Sequence, residues 1–269
     1  MRRTFWNRDF VFALLGYFFL FMSVSVFFLL PLYLEQFRPS KSRVGVIMGI
    51  HSITAILVRP LSGRVVDARG GRKMALLGIA GMIAVLPGFH LVRDAGALVL
   101  VLRAAMGAAW GVAMTATIAA CSDLAPTDRL AHSIGIIGIG GIVAGAVGPM
   151  IGEEVIRRAG FGTLFNASVL FLLAGLACMF VTREVPRPEG EREATARSRL
   201  AGHSWPVLAV IAAMPAVHGA IRGGVVNFIA LFGTDAGFAR VGPFFVAFSV
   251  AAILTRFGLG DISDRFGRK

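Results

Sequence analysis

The chain has 269 residues, of which 56% are apolar and only 16% are charged, and yet its formal net charge is +12. A soluble globular domain carries about 25% charged residues, so this composition argues against a soluble enzyme and against a nucleic-acid-binding domain. The two cysteines, Cys121 and Cys178, are too few for a disulfide scaffold and match no metal-ligand spacing. A polytopic membrane protein without a metal or a cofactor remains, surrounded by the lipid bilayer.

Eight apolar stretches approach the roughly 20 residues that a helix needs to cross a bilayer. They cover residues 10–34, 44–62, 74–92, 97–121, 130–155, 161–182, 205–232 and 241–259. The first stretch follows Arg2 and Arg3, but it is longer than the apolar core of a signal peptide, so we interpret it as an uncleaved span. The polar segment 183–204 has the composition of a linker. It separates six spans, in residues 1–182, from two spans, in residues 205–269.

The basic residues are distributed unevenly about these spans. Sixteen of the 27 fall in segments on the same side as the N-terminus, seven fall on the opposite side, and four lie inside spans. Because Lys and Arg are enriched in cytoplasmic loops, this bias predicts a multi-pass protein of the plasma (inner) membrane with a cytoplasmic N-terminus. No Asp or Glu occupies the middle of a span, so the arginines inside the spans have no acidic partner there.

A repeat with a constant offset of 197 residues ends the second and the eighth spans. Each copy holds an arginine, a glycine, an aspartate and a second glycine, and the matching pairs are Arg59 and Arg256, Gly63 and Gly260, Asp67 and Asp264, and Gly70 and Gly267. Gly63 and Asp67 are four residues apart and share a helix face, where the glycine permits another helix to approach closely. The helix dipole disfavours an anion at the C-terminus, so we expect the aspartates to pair with basic residues, including Arg59 and Arg256.

This repeat resembles the loop signature G-x-x-x-D-[RK]-x-G-[RK]-[RK] of the major facilitator superfamily of secondary transporters. The second copy, residues 260–269, matches throughout and includes Arg268. The first copy contains Arg72, but Ala68 and Gly71 replace two basic residues. The resemblance covers essentially the whole chain. It implies an all-α fold, transport by alternating access between two helix bundles, and a cytoplasmic gate formed by the loop residues.

Two further segments carry the same resemblance. Residues 103–107, which read RAAMG, are similar to the family motif R-x-x-q-G, although Met106 replaces a polar residue. The fifth span resembles the antiporter signature G-x8-G-x3-G-P-x2-G, with Ala144 in place of the middle glycine. Its matching residues are Gly135, Gly148, Pro149 and Gly152. This signature implies an exporter that exchanges its substrate for protons or another coupling ion, although small residues also serve close helix packing alone.

Members of this family usually have twelve helices in two halves. We therefore expect a six-helix N-terminal bundle plus two helices of an incomplete second bundle, that is, a fragment of a transporter. A non-transporting membrane subunit or regulator, or an inert truncated product, is the alternative. The chain has no H-E-x-x-H motif, no G-x-S-x-G motif and no paired intramembrane aspartates, which argues against an intramembrane enzyme.

An ionisable residue inside a span is a functional candidate by default. By the resemblance, Arg103 is tied to proton coupling or to substrate contact. His218 and Arg222 share one face of the seventh span, Asn227 follows, and Trp110 is a candidate for an apolar cavity wall. We expect these residues to contact a small-molecule substrate or a coupling ion, and the uncompensated arginines favour an anionic substrate.

Three more polar positions lead to structural expectations. His51 is a lone histidine in an apolar helix, and we interpret it as a hydrogen-bonded structural residue. Glu153 and Glu154 each stand four residues before an arginine, which predicts ion pairs with Arg157 and Arg158 at a helix end.

Overall fold

The computed structural model of the chain describes residues 7–125, 130–185 and 205–266, and these residues form eight helices and no strand. The helices are α1 (Arg8–Glu35), α2 (Lys41–Arg69), α3 (Gly71–Leu91), α4 (Ala97–Leu124), the run Leu130–Val181 that holds α5 and α6, α7 (Trp205–Asp235) and α8 (Gly242–Phe266). The predicted all-α fold is therefore confirmed. Most of the predicted linker, residues 186–204, lies outside the described residues.

The break between α5 and α6 differs from the sequence expectation. The helix does not end at residue 155 but continues to Gly160, whose φ of 76° and ψ of 179° interrupt it. This conformation is essentially restricted to glycine, so one residue replaces the expected connection. We call residues 130–159 α5 and residues 161–181 α6.

Several helices contain local irregularities that shift them from the predicted bounds. A 3₁₀ turn at Val26–Leu29 lies inside α1, and another at Leu86–Leu91 ends α3. Pro60 lies inside α2 without ending it, so this helix extends seven residues past the predicted end at residue 62, to Arg69. The Gly63 and Asp67 positions of the repeat are therefore helical.

The helices have the length and hydropathy of membrane spans. Six described helices meet this criterion when the run His132–Val181, which holds both α5 and α6, is counted as one. The described apolar part of α8, Gly242–Thr255, is shorter. Large apolar side chains cover the outside of the bundle: Leu57 is 71% exposed and Phe180 is 70% exposed. Such a surface suits lipid, where helices satisfy their own backbone hydrogen bonds, and the chain is a multi-pass membrane protein.

Small residues bring α4 into close contact with α2 and α3. A Cβ added to Gly78 of α3 would lie 2.5 Å from the backbone nitrogen of Ala113 in α4. On the other side of α4, a Cβ at Gly111 would lie 2.8 Å from the carbonyl oxygen of Ala55 in α2. Such contacts give membrane helices their van der Waals attraction, and here they hold α4 between α2 and α3.

The antiporter-like segment of α5 packs against α1. The Ser25 hydroxyl of α1 donates to the Ala144 carbonyl of α5 over 2.9 Å. A Cβ at Gly148 would overlap with that hydroxyl, and Gly152 packs against the same helix, whereas a Cβ at Gly135 would meet no described atom within 4 Å. Gly148 and Gly152 therefore serve the α1–α5 interface, and the expected exchange function of this segment stays a prediction.

Candidate functional site

A cavity of about 350 Å³ lies between α1, α2, α4 and α7. Three of the first six helices and α7 therefore surround it. Its volume is at the lower end of the roughly 300–1,000 Å³ of small-molecule sites. Polar and aromatic side chains converge on it, namely Phe21, Phe27, Phe28, His51, Ser52, Arg59, Arg103, Trp110, His218, Arg222 and Asn227.

All five residues that the sequence analysis proposed for substrate or ion contact line this one cavity. They are Arg103, Trp110, His218, Arg222 and Asn227. His218 and Arg222 are four residues apart and share a helix face, as predicted, so α7 presents both side chains to the same cavity. The juxtaposition makes the cavity the candidate functional site, while the role of each residue stays a prediction.

Arg103 is buried inside the bundle. Its side chain is 3% exposed, and the guanidinium donates from Nε to the Ile47 carbonyl over 3.3 Å and from a terminal nitrogen to the Met48 carbonyl over 3.2 Å. These bonds connect α4 to α2. The close approach of the two helices also depends on Gly107, where a Cβ would collide with the carbonyl oxygen of His51. Arg103 therefore faces the protein interior and does not reach toward a membrane surface.

The interpretation of His51 as a hydrogen-bonded structural residue is wrong for one ring nitrogen. His51 is 7% exposed and lines the cavity, but its Nδ1 has no hydrogen-bond partner among the described residues. The imidazole centroid lies 6.5 Å from the ring centroid of Trp110, which in turn meets Phe21 edge to face at 5.6 Å. The sequence did not indicate that His51 lines the cavity, because no ionisable residue stands three or four positions from it to mark a shared polar helix face.

The charge of the cavity is positive. Arg59 is exposed and lines the cavity with Arg103 and Arg222. Among the described lining residues there is no Asp or Glu. A bound anion would therefore be attracted to this space, and a cation would be repelled.

The junction of α2 and α3 is docked onto the end of α6. Gly70 has φ 94° and ψ 149°, and the carboxylate of Glu184 accepts hydrogen bonds from the backbone nitrogens of Arg72, over 3.3 Å, and Lys73, over 3.1 Å. The Arg72 guanidinium donates to the Phe180 carbonyl over 2.6 Å and lies 5.5 Å from the ring centroid of that residue. Glu184 thus caps α3, a role that sequence spacing did not reveal.

The rest of the repeat has a less complete description. The expectation that Gly63 permits close approach of a helix is not met in the described part of the chain, because a Cβ there would meet no atom within 4 Å. In the second copy, three positions lie on the last turns of α8, where the side chains are not described: Arg256, Gly260 and Asp264. The remaining two positions, Gly267 and Arg268, lie outside the described residues.

Glu153 connects α5 to α8, which corrects its predicted ion pair. Its two carboxylate oxygens accept hydrogen bonds from the backbone nitrogens of residues 241–242, each over 2.7 Å. Only Glu154 forms the expected pairs, with Arg157 and Arg158. The carboxylate of Glu153 therefore satisfies N–H groups that have no partner inside α8.

A larger groove of about 1120 Å³ lies beside this contact, between α5 and the start of α8. Most of its lining is apolar, and its carboxylates are already bonded: Glu153 to α8 and Glu154 to the neighbouring arginines. Since binding sites combine apolar walls with convergent polar groups, the smaller cavity is the better candidate.

The described helices have the length and composition of membrane spans, and α1, α2, α4 and α7 enclose a cavity onto which polar side chains converge. The family model described as Major Facilitator Superfamily matches residues 13–269. The chain belongs to this family, which places it among transporters and not among enzymes.

Curated relatives include drug-efflux proteins. The chain is 29% identical over 195 residues to the multidrug resistance protein MdtG of Dickeya zeae, an alignment that covers 70% of this chain and 47% of MdtG. It is 29% identical over 148 residues to the multidrug efflux pump LfrA of Mycolicibacterium smegmatis, an alignment that covers 54% of this chain and 29% of LfrA. It is 26% identical over 239 residues to the MFS-type transporter YuxJ of Bacillus subtilis, an alignment that covers 84% of this chain and 59% of YuxJ. The chain thus spans about half the length of the curated relatives it matches.

Proposed function

We propose that this chain forms part of a secondary active transporter that exports a small molecule by alternating access, with the cavity between α1, α2, α4 and α7 as its substrate site. The observation that carries the proposal is the convergence of all five predicted contact residues on this cavity. The cavity lies between the six-helix bundle and α7. Family transporters bind substrate where two helical units meet and expose the site by rocking one unit against the other.

Two contact regions fit this mechanism. We call the junction of α5 with the start of α8, together with the Lys41–Asp235 pair that joins α2 to α7, the Glu153 end. We call the junction of α2, α3 and the end of α6 the Glu184 end. We propose that the Glu184 end and the N-terminus face the cytoplasm of a plasma (inner) membrane, as the bias of basic residues predicts. The Glu153 end would then close the outer side.

The charges of the cavity favour an anionic substrate. Arg59, Arg103 and Arg222 line it, and no described carboxylate offsets them. An interior-negative membrane potential drives an anion outward by about 2.3 kcal/mol per charge for each 100 mV. Export of an anion through this cavity is therefore favourable in the direction that the name of the efflux pump LfrA suggests.

Coupling to protons is part of the proposal. The cavity has no described carboxylate, so its protonatable groups are the imidazoles of His51 and His218. A proton carried by one of them would take the place that an acidic side chain has in many proton-coupled carriers.

Flux measurements with the full chain in liposomes test this function. Benzoate efflux should rise with an interior-negative potential, and Arg222→Ala should slow it at least tenfold because an uncompensated positive charge near the anion is lost. Arg240→Ala is the matched control, since Arg240 is exposed in the α7–α8 loop and outside the cavity. Preference for a cationic dye such as ethidium that survives Arg222→Ala would refute the anionic substrate. Absence of flux for all probes would instead favour a non-transporting subunit.

A further inference from the structure

The larger groove beside Glu153 has no role in the proposed transport. It has a volume of about 1120 Å³ and lies between the last turns of α5 and the start of α8, with one residue each of α1 and α6 at its edge. Most of its walls are apolar, and Met150, Val155 and Val246 are among them. Met150 is 46% exposed, so the groove is open to the surroundings of the helices, which for a membrane protein are lipid.

The groove extends from a charged helix end into the apolar part of the bundle. On α5 it reaches from Arg157 inward to Met150, and on α8 it reaches inward to Ala247. Seven residues of helix between Arg157 and Met150 correspond to about 10 Å, and one leaflet of a hydrocarbon core is about 15 Å thick. The upper part of a lipid acyl chain therefore fits along α5 when its headgroup lies at the helix end.

Three arginines lie at this open end of the groove, and we call them the arginine rim. They are Arg157 and Arg158 on the last turn of α5 and Arg240 just before α8. Two carboxylates also line the groove. Glu154 is shared by Arg157 and Arg158, and Glu153 accepts hydrogen bonds from backbone nitrogens of α8. All three arginines are exposed, and Arg240 has no ion pair among the described residues, so the rim keeps positive charge and free N–H donors.

The arginine rim and the apolar walls together select the class of ligand. A guanidinium pairs well with phosphate, because its N–H groups match two phosphate oxygens. A soluble anion would leave the apolar walls without contacts, and an apolar helix of another protein would leave the arginines without partners. A zwitterionic headgroup would bring a cation close to the rim. An anionic phospholipid matches both parts, because it joins an acyl chain to a headgroup of net negative charge.

We propose that this groove binds one anionic phospholipid, whose phosphate lies on the arginine rim and whose acyl chain lies between α5 and α8. The carrying observation is the juxtaposition of three arginines with an open apolar groove at the end of two spans. No residue lines both this groove and the substrate cavity. The inference is therefore independent of the proposed function.

Native mass spectrometry of the delipidated full chain in detergent micelles measures this binding. The chain is titrated with phosphatidylglycerol and with phosphatidylcholine of the same acyl chains, and the populations of lipid-bound ions give the two dissociation constants. We expect phosphatidylglycerol to bind at least about fivefold more tightly, which is the contribution of one arginine near an anionic headgroup. Inorganic phosphate should not displace it beyond the effect of chloride at equal ionic strength, since phosphate has no acyl chain.

Substitutions of charged residues test the arginine rim. Arg158→Gln should weaken binding of phosphatidylglycerol about fivefold and leave binding of phosphatidylcholine unchanged. Glu154→Gln should strengthen binding of phosphatidylglycerol, because it removes a carboxylate that competes with the lipid for two arginines. Arg93→Gln is the matched control, since Arg93 is exposed after α3 at the same end of the bundle and does not line the groove.

A substitution in the apolar part tests where the acyl chain lies. Ala247→Phe places a ring in the groove and should weaken binding of both lipids, whatever their headgroup. Val250→Phe adds a ring to the same helix at a position that is 50% exposed and outside the groove, and it should leave both affinities unchanged.

Several results would overturn the inference. Equal affinity for the two lipids would exclude the anionic class, and displacement by phosphate would indicate a site for a free anion only. A loss in Arg93→Gln as large as in Arg158→Gln, or weaker binding in Glu154→Gln, would exclude the arginine rim. Equal effects of Ala247→Phe and Val250→Phe would exclude the groove. If a variant fails to fold, the two lipids and phosphate still decide on the parent chain. None of these measurements involves flux, so failure here leaves the proposed function untouched.

Discussion

The two ends of the bundle use a half-buried carboxylate in different ways. At the Glu184 end, Glu184 bonds backbone nitrogens at the start of α3, so the described contact stays within the six-helix bundle. At the Glu153 end, Glu153 bonds backbone nitrogens at residues 241–242, so the contact joins this bundle to α8. The same chemistry, a carboxylate at a helix N-terminus, therefore joins α3 to the end of α6 in the first case and α5 to α8 in the second.

Under the alternating access proposed above, this difference predicts which contacts change. If the two units rock against each other, the Glu184 contact moves as part of one rigid bundle, while the Glu153 contact has to break. Lys41 adds an exposed ion pair to the Glu153 end, with Asp235 at the end of α7, over 3.0 Å. Substitutions at the Glu184 end should therefore alter stability, and substitutions at the Glu153 end should alter how the units associate.

Gly70→Ala should give the largest effect. The residue has φ 94° and ψ 149°, and a Cβ there would overlap with the Glu184 carboxylate. Strain of this kind is worth about 1–3 kcal/mol, so the temperature of thermal unfolding in detergent should fall by several degrees. Gly63→Ala is the matched control in the same repeat, where a Cβ has open space, and it should be neutral or stabilising by about 0.5–1 kcal/mol. Similar unfolding temperatures for the two variants would contradict the Glu184 docking.

Glu153→Gln should have an intermediate effect that is confined to the other end. Gln keeps one acceptor but loses the charge, and the loss of a helix cap is worth about 0.5–2 kcal/mol. Hydrogen exchange of the amides at residues 241–242 should become about tenfold faster, because local opening of α8 becomes easier. Glu154→Gln, one residue away, should leave these two amides unchanged. If hydrogen exchange became equally faster in both variants, the effect would belong to the charged group of Glu153, Glu154, Arg157 and Arg158 as a whole and not to Glu153 alone.

Lys41→Gln should have the smallest effect. The two side chains of its pair with Asp235 are 58% and 61% exposed, and exposed ion pairs contribute little to stability. We expect an unchanged unfolding temperature at physiological salt, both for this variant and for Asp235→Asn. If either variant unfolds at a clearly lower temperature than the parent, and high salt abolishes that difference, then the Lys41–Asp235 pair contributes to the association that we attribute to Glu153.

Much of the fold follows from the sequence for one reason: lipid offers no hydrogen bonds to the backbone, so apolar stretches of about 20 residues have to be helical. This reason predicts the order of the helices and their approximate centres. It does not predict helix ends, and α2 continues through Pro60 to Arg69. Nor does it predict the break at Gly160, where a single residue with φ 76° divides α5 from α6.

The candidate site was predictable where charge is costly in lipid. Arg103 and Arg222 stood out because arginine is rare inside spans, and both line the cavity. His51 did not stand out, because a neutral imidazole carries no comparable penalty. The sequence did not reveal the backbone partners of Glu184 and Glu153, because these partners lie 112 and 88 residues away in the chain, beyond any helical spacing.

By itself, the sequence determined the membrane class, the number of helices, the family and the arginines that belong to the site, because hydropathy, charge and motif spacing are local properties. Only the tertiary structure decided that α7 closes the cavity against α1, α2 and α4, that Nδ1 of His51 has no hydrogen-bond partner among the described residues, and that Glu153 joins α5 to α8. These features depend on side chains from distant segments meeting within hydrogen-bond distance, and such meetings are determined by helix packing.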